Sequence, residues 1–207
     1  MDAIKKQAHI AGLLYTLDAI IAPFSLFYVP SKLAEGFSES WLRLGILSEF
    51  VYQTVEIFMV LVLFNLFAEV NKQLARQMLV LGLIAIPIVF LNTLNEVGAI
   101  LASKSDGALN GLSSLFLHLH SAGLEVAGIF WGLWLIPFGL LIMRSGFIPR
   151  LIGLSSIIGG VGYTLGSVAT LCFPEAGIVG TLANILEIGE LPAIFWLLIK
   201  GARPRAA

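Results

Sequence analysis

The stretch LGILSEFVYQTVEIFMVLVLFNLF, residues 44–67, decides the fold class of this chain. It is long enough to cross a bilayer, because a spanning helix needs about 20 predominantly apolar residues. It also contains Glu49, Gln53 and Glu56. A charged side chain at the middle of a spanning helix costs about 2.5–3.5 kcal/mol on insertion scales. The stretch therefore predicts a transmembrane helix whose acidic groups require a polar environment.

Further apolar stretches of the same kind lie on both sides of this one. Together they predict six spans, near residues 9–29, 44–67, 77–101, 113–143, 149–172 and 179–199. Of the 207 residues, 58% are hydrophobic and 12% are charged, which is typical of polytopic membrane proteins. We therefore predict an all-α fold, a single domain of residues 1–207 that forms a bundle of six transmembrane helices.

The basic residues predict how this bundle is oriented, because Lys and Arg accumulate in cytoplasmic loops. With the N-terminus inside, nine of the twelve basic residues face the cytoplasm, and Lys32, Arg43 and Lys104 face outward. We therefore expect both termini to be cytoplasmic, in a multi-pass protein of the bacterial inner membrane whose immediate partner is the lipid bilayer. The net charge of −1 gives no reason to expect nucleic acid as a partner.

The predicted spans carry acidic residues and no basic residue in their interiors. The one basic residue within their bounds, Arg150, opens the fifth span. The seven acids are Asp18, Glu49, Glu56, Glu96, Glu125, Glu187 and Glu190. Without cationic partners, these groups oppose insertion unless protons, a metal ion, a cationic ligand or water offsets their charge. The sequence thus predicts a polar, acid-lined interior, and we expect the function to reside there.

Helical spacing indicates which polar side chains share a site, since successive residues turn by about 100°. The shared stripes are Glu49, Gln53 and Glu56 on the second span, and Asn92, Asn95 and Glu96 on the third. Most residues of these two stripes lie in the outer half of the predicted bundle. Glu56, and Glu190 of the sixth span, lie deeper. The pattern therefore predicts a cavity that opens toward the outer side.

The fourth span contains two histidines that cannot serve one site in a regular helix. His118 falls on the same stripe as Glu125, whereas His120 projects about 200° away from His118. Helical spacing alone therefore favours His118 for the interior. In the sixth span, Pro192 predicts a kink that would free backbone carbonyl groups beside Glu190.

Several segments carry a family resemblance that covers nearly the whole chain. They are IAGLLYTLDAIIAPFSLFYVPSKL, FNLFAEVNKQLA, LFLHLHSAG, LIMRSGFIPRLIG, GGVGYTLGSV and GELPAIFWLLIKG. The chain resembles a bacterial membrane family called domain of unknown function 4386. The resemblance implies acidic residues at the positions of Glu49 and Glu56, a Leu-His-Ser run that contains His120, and a Gly-Glu pair that ends at Glu190. It therefore favours His120 over His118, while Asp18 and Glu187 depart from the family pattern.

Two functional classes remain open beside a purely structural one. In the first, the acidic cavity binds a proton, a cation or a small polar ligand for transport or sensing. Clustered carboxylates repel each other, so some should be protonated at neutral pH, as proton-coupled transport requires. Six spans are few for alternating access by one chain, and a homodimer would supply the missing half.

In the second class, the protein is an intramembrane enzyme that acts on a lipid-like substrate. A divalent metal such as zinc would activate water, or a protonated carboxylic acid would donate a proton. The candidate metal ligands are His118, His120, Glu49, Glu56 and Glu190. In the third, structural class, the buried polar groups only hold helices or a partner together through hydrogen bonds.

Overall fold

A computed structural model describes residues 2–105, 111–173, 175 and 177–202 of the chain. In this part of the chain, six helices are long and apolar enough to cross a membrane. These spans run over Ile4–Glu35, Glu39–Phe67, Lys72–Ser103, Leu112–Ser145, Arg150–Cys172 and Gly180–Ile199. The predicted all-α bundle of six spans is confirmed, and the protein is a multi-pass membrane protein.

Two of the six spans are interrupted helices. The first is interrupted by a π-helical turn, and the sixth is interrupted by a 3₁₀ turn. The elements of the first are α1 (Asp2–Pro23), the π turn (Phe24–Tyr28) and α2 (Val29–Glu35). The four continuous spans are α3 (Glu39–Phe67), α4 (Lys72–Ser103), α5 (Leu112–Ser145) and α6 (Arg150–Cys172). The elements of the sixth are α7 (Gly177–Glu187), the 3₁₀ turn (Ile188–Glu190) and α8 (Leu191–Ile199).

The interruptions follow from proline, which has no backbone N–H to donate within a helix. Pro30 stands in the first turn of α2, directly after the π turn, and Pro192 stands in the first turn of α8, next to the 3₁₀ turn. The sixth span therefore departs from α-helical geometry beside Glu190, as Pro192 predicts. Because an even number of spans returns the chain to its starting side, both ends of the described chain lie at one face of the bundle, here called the terminal face. The opposite face is called the distal face.

The spans form a closed ring in which neighbours in sequence are neighbours in space. Each span packs against the next one along the chain, and α1 closes the ring by packing against α8. Glycine allows the closest of these contacts. A Cβ atom on Gly132 of α5 would overlap the carbonyl oxygen of Gly160 on α6, so the two backbones approach more closely than larger residues would permit.

The two halves of the ring differ in their contents. The half near the terminal face is filled by a large apolar core, which includes Met59, Leu63, Phe67, Phe138 and Leu197. The polar side chains of the interior lie mostly in the distal half, since Glu49 and His120 both belong to the distal parts of their helices. The apolar core therefore separates this polar region from the terminal face.

Candidate functional site

A pocket of about 720 Å³ lies between the spans in the distal half of the ring. It extends from Phe27 and Gly180, near the distal face, down to Met59 and Ile194, next to the apolar core. Pockets that bind small molecules typically measure about 300–1,000 Å³. The pocket therefore has the size of a small-molecule site, with its deep end closed by the apolar core.

The lining of this pocket is acidic and aromatic. Its acidic residues are Asp18, Glu56, Glu125, Glu187 and Glu190, and its large aromatic residues include Tyr15, Tyr52, Trp131, Trp134 and Tyr163. Lys and Arg do not occur among the lining residues in the described part of the chain. The carboxyl groups come from the first, second, fourth and sixth spans, so distant parts of the sequence contribute to one acidic surface.

Glu190 lies at the centre of the deepest acidic group. The hydroxyl of Tyr15 donates a hydrogen bond to Glu190 Oε1, and the hydroxyl of Tyr163 is directed at the same carboxylate. Asp18 and Glu56 are close enough to Glu190 to interact with it electrostatically. The buried Oδ1 atom of Asp18 forms no hydrogen bond with described residues. This arrangement leaves acceptor atoms available to a ligand.

A second acidic group lies beside the pocket, where α3, α4 and α5 meet. It consists of Glu49, Glu96 and His120, here called the Glu–Glu–His cluster, and these residues are 1%, 3% and 8% exposed. One potential ligand atom of each residue lies within 4.8 Å of those of the other two. The Nε2 atom of His120 is 3.2 Å from Glu49 Oε1. His120 also lines the pocket, so it connects the two acidic groups.

Asn92 of α4 fixes the position of the His120 ring. Its side-chain amide donates to the backbone carbonyl oxygen of His120 at 2.8 Å and lies 3.2 Å from the ring atom Nδ1. Asn95 in turn donates to Asn92 Oδ1 at 2.9 Å. Gly123 makes room for this amide, because a Cβ atom at that position would overlap Asn92. The stripe of polar residues on α4 therefore orients the histidine.

The structure divides the predicted site residues between these two groups. Glu56, Glu125 and Glu190 line the pocket, and Glu49, Glu96 and His120 form the cluster with Asn92 and Asn95 beside it. Gln53 is fully buried on α3, between Glu49 and Glu56 in the sequence. His118 is exposed, and its ring bonds the carbonyl oxygen of Ser114 on its own helix.

Several residues that line the pocket were absent from the predicted binding site, among them Asp18, Glu187 and Tyr163. Asp18 and Glu187 stand where the chain departs from the family pattern, yet both side chains line the pocket. Their acidity within apolar spans was the signal that could have included them. Tyr163 lies in the glycine-rich segment GGVGYTLGSV, where it is the only aromatic residue, and its position opposite Glu190 depends on how α6 packs against the sixth span.

Comparison with known proteins identifies a family for the chain. A family model described as Domain of unknown function (DUF4386) matches residues 10–201, which is most of the chain. The chain belongs to this family. An uncharacterized protein of Archaeoglobus fulgidus is 29% identical to this DUF4386 protein over 80 residues, which cover 39% of the chain and 47% of the archaeal protein. The chain thus matches about half of that relative's length, and no solved structure matches it.

Proposed function

We propose that this DUF4386 protein binds a small organic cation in its pocket, for transport or sensing across the cytoplasmic membrane. The observation that carries this proposal is the acidic lining contributed by four different spans without Lys or Arg among the described lining residues. A carboxylate taken out of water needs a compensating charge. A ligand with a positive charge supplies that compensation and gains in turn from Asp18, Glu56 and Glu190.

The aromatic side chains favour an organic cation over a bare metal ion at this position. Aromatic faces attract ammonium groups with about 0.5–2 kcal/mol each, and they also bury the apolar parts of such a ligand. Trp134 is one of these aromatic residues, and its ring is packed between neighbours, with its centroid 5.9 Å from that of Tyr15 and 5.2 Å from that of Phe138. The pocket volume of about 720 Å³ also exceeds the space that a single ion requires.

The closed deep end favours a pocket that is loaded from the distal face. If both termini are cytoplasmic, as the distribution of basic residues predicts, the distal face is the outer side. The pocket then corresponds to an outward-facing state of a transporter or to the ligand site of a sensor. Transport by alternating access would require the apolar core to open, and a homodimer that supplies a second ring remains part of this proposal.

Ligand binding to the purified full-length protein tests the proposal. The probes are methylammonium, tetramethylammonium and tetraethylammonium, each compared with a neutral molecule of the same shape. We expect at least one cation to bind by isothermal titration calorimetry, and Glu56→Gln or Glu190→Gln to weaken it by about tenfold or more, which is at least about 1.4 kcal/mol. The control is Glu69→Gln, because Glu69 is exposed outside the pocket.

The comparison with neutral molecules also separates this function from the alternatives. Equal affinity for a cation and its neutral counterpart would show that the carboxylates do not select the ligand and would contradict the proposal. Cation binding that survives both glutamine substitutions would contradict it as well. If binding is accompanied by proton release that disappears in Glu56→Gln, the ligand exchanges with a proton, which is the behaviour of a proton-coupled transporter.

A further inference from the structure

The Glu–Glu–His cluster offers a site of a different chemical type. Three separate spans bring two carboxylates and an imidazole together, each side chain at least about nine-tenths buried. The Oε2 atoms of Glu49 and Glu96 are buried and form no hydrogen bond with any described residue. Buried carboxylate oxygens normally have partners, and leaving a charged one unpaired is costly. We propose that Glu49, Glu96 and His120 bind a divalent transition metal ion of the zinc class.

The geometry of the cluster requires little rearrangement to hold such an ion. Three atoms that lie within 4.8 Å of one another all lie within about 2.8 Å of a common point. Zinc binds imidazole nitrogen and carboxylate oxygen at about 2.0–2.2 Å, so movements below about 1 Å bring the ligands into place. Two ligands of a tetrahedral zinc ion are about 3.3 Å apart. The 3.2 Å between His120 Nε2 and Glu49 Oε1 already matches that edge.

Charge balance supports a divalent ion at this depth of the bundle. Two ionised carboxylates and a neutral imidazole carry two negative charges, which one divalent cation neutralises. In the described part of the chain, the ion pairs of Lys and Arg lie at the exposed Glu35 and the partly exposed Glu39 rather than at the cluster. A neutral metal complex therefore removes the cost of two unpaired charges within a spanning bundle.

The surroundings of His120 favour a transition metal over sodium, calcium or magnesium. An imidazole nitrogen is a good ligand for zinc, iron and copper, whereas the hard cations prefer oxygen ligands alone. Metal-bound histidines usually donate the other ring N–H to a backbone carbonyl or carboxylate. Nδ1 of His120 lies 3.2 Å from the side-chain amide of Asn92 and 3.4 Å from the carbonyl oxygen of Asn92. Nδ1 accepts from the amide in the metal-free ring; with Nε2 on the ion, it would instead carry the ring proton and donate to that carbonyl oxygen.

Three protein ligands leave a coordination position for water or a ligand. Zinc sites that perform chemistry have this arrangement, while structural sites are closed by a fourth protein ligand. Because His120 also lines the pocket, the ion would lie at the pocket wall. The metal site shares none of its ligands with Asp18, Glu56 and Glu190, so it can exist whether or not these residues bind an organic cation.

The test measures metal binding by the purified full-length protein in detergent, with Zn²⁺ and Co²⁺ as probes. We expect about one equivalent of Zn²⁺ to bind tightly after chelator treatment. Glu49→Gln, Glu96→Gln and His120→Gln should each weaken binding more than about 100-fold, since loss of an outer hydrogen-bonding partner alone costs about 10–100-fold. The matched control is His118→Gln, a histidine two residues away on the same helix that is exposed.

The outcomes separate clearly. Zinc binding that survives loss of any two cluster ligands, or that falls as far in His118→Gln as in His120→Gln, would overturn the proposal. If a glutamine variant does not fold, the wild-type protein decides the question through its Co²⁺ absorption spectrum. Saturable d–d bands of a site with nitrogen and oxygen ligands support the proposal, and their absence overturns it. The Glu56→Gln variant should retain zinc, which keeps this test independent of organic-cation binding.

Discussion

Replacing Asn92 by leucine removes the side chain that joins α4 to the His120 segment of α5. The substitution keeps the size of the side chain similar but loses three hydrogen bonds. These are the bonds to the His120 carbonyl oxygen at 2.8 Å, to the His120 ring at 3.2 Å and from Asn95 at 2.9 Å. Two of these bonds join α4 to α5 and the third lies within α4. At about 0.6 kcal/mol for each bond, we expect a loss of about 2 kcal/mol in the free energy of unfolding.

The matched variant is Asn95→Leu, which removes one of the same three bonds. Its expected cost is about 0.6 kcal/mol, so the two variants should differ roughly threefold in their effect. Reversible unfolding in mixed micelles, followed by circular dichroism, measures both values. The reasoning is refuted if Asn92→Leu unfolds at the same denaturant concentration as the wild-type protein, or if Asn95→Leu costs as much as Asn92→Leu.

Three further predictions test other parts of the structure. In Gly132→Ala, the new Cβ overlaps the α6 backbone, so thermal unfolding should show a destabilisation of about 1–3 kcal/mol, whereas Gly180→Ala, with open space around it, should stay close to wild type. In Tyr15→Phe, the Glu190 carboxylate loses a hydrogen-bond donor that favours its ionised form, so calorimetry should show organic-cation affinity weakened by about tenfold, with the exposed Tyr28→Phe as the unaffected control. Reporter fusions at either terminus should be active only in the cytoplasm, and a C-terminal reporter active on the outer side would contradict the orientation predicted from the basic residues.

The six spans could be predicted from sequence because a bilayer imposes one length and one composition on all of them. The second predicted span, residues 44–67, ends where α3 ends at Phe67. The predicted start at residue 44 lies five residues after the first residue of α3, Glu39. The helix begins earlier because Ser38 caps it, and polar residues such as Glu39 and Arg43 form its first turns outside the apolar stretch. Apolar length thus predicts the membrane-crossing part of a helix, while capping decides where the helix begins.

The positions of the two histidines show what helical spacing cannot supply. A helical wheel assumes that one face of a helix is interior, but α5 packs against α4 on one flank and against α6 on another. His120 lies on the flank that contacts Asn92 of α4, whereas Gly128 lies against Ser167 of α6. In a ring of helices, both flanks of a helix are buried. The stripe that includes His118 is exposed near the distal face. The partner helices of α5, which sequence spacing does not specify, decide which histidine is buried.

The two acidic groups share α3, and this common helix implies that their ligands influence each other. Glu49 and Glu56 are seven residues apart in α3, which corresponds to about 10 Å along the helix. At an effective dielectric constant of about 20, two unit charges at this distance interact with about 1.7 kcal/mol. A divalent ion at the Glu–Glu–His cluster should therefore weaken the binding of an organic cation in the pocket by about tenfold or more. Because coupling between two binding sites is reciprocal, the organic cation should weaken Zn²⁺ binding by the same factor. Calorimetric titration of each ligand with the other one absent and then saturating measures both factors, and equal affinities in the two conditions would show that the two groups are not electrostatically coupled.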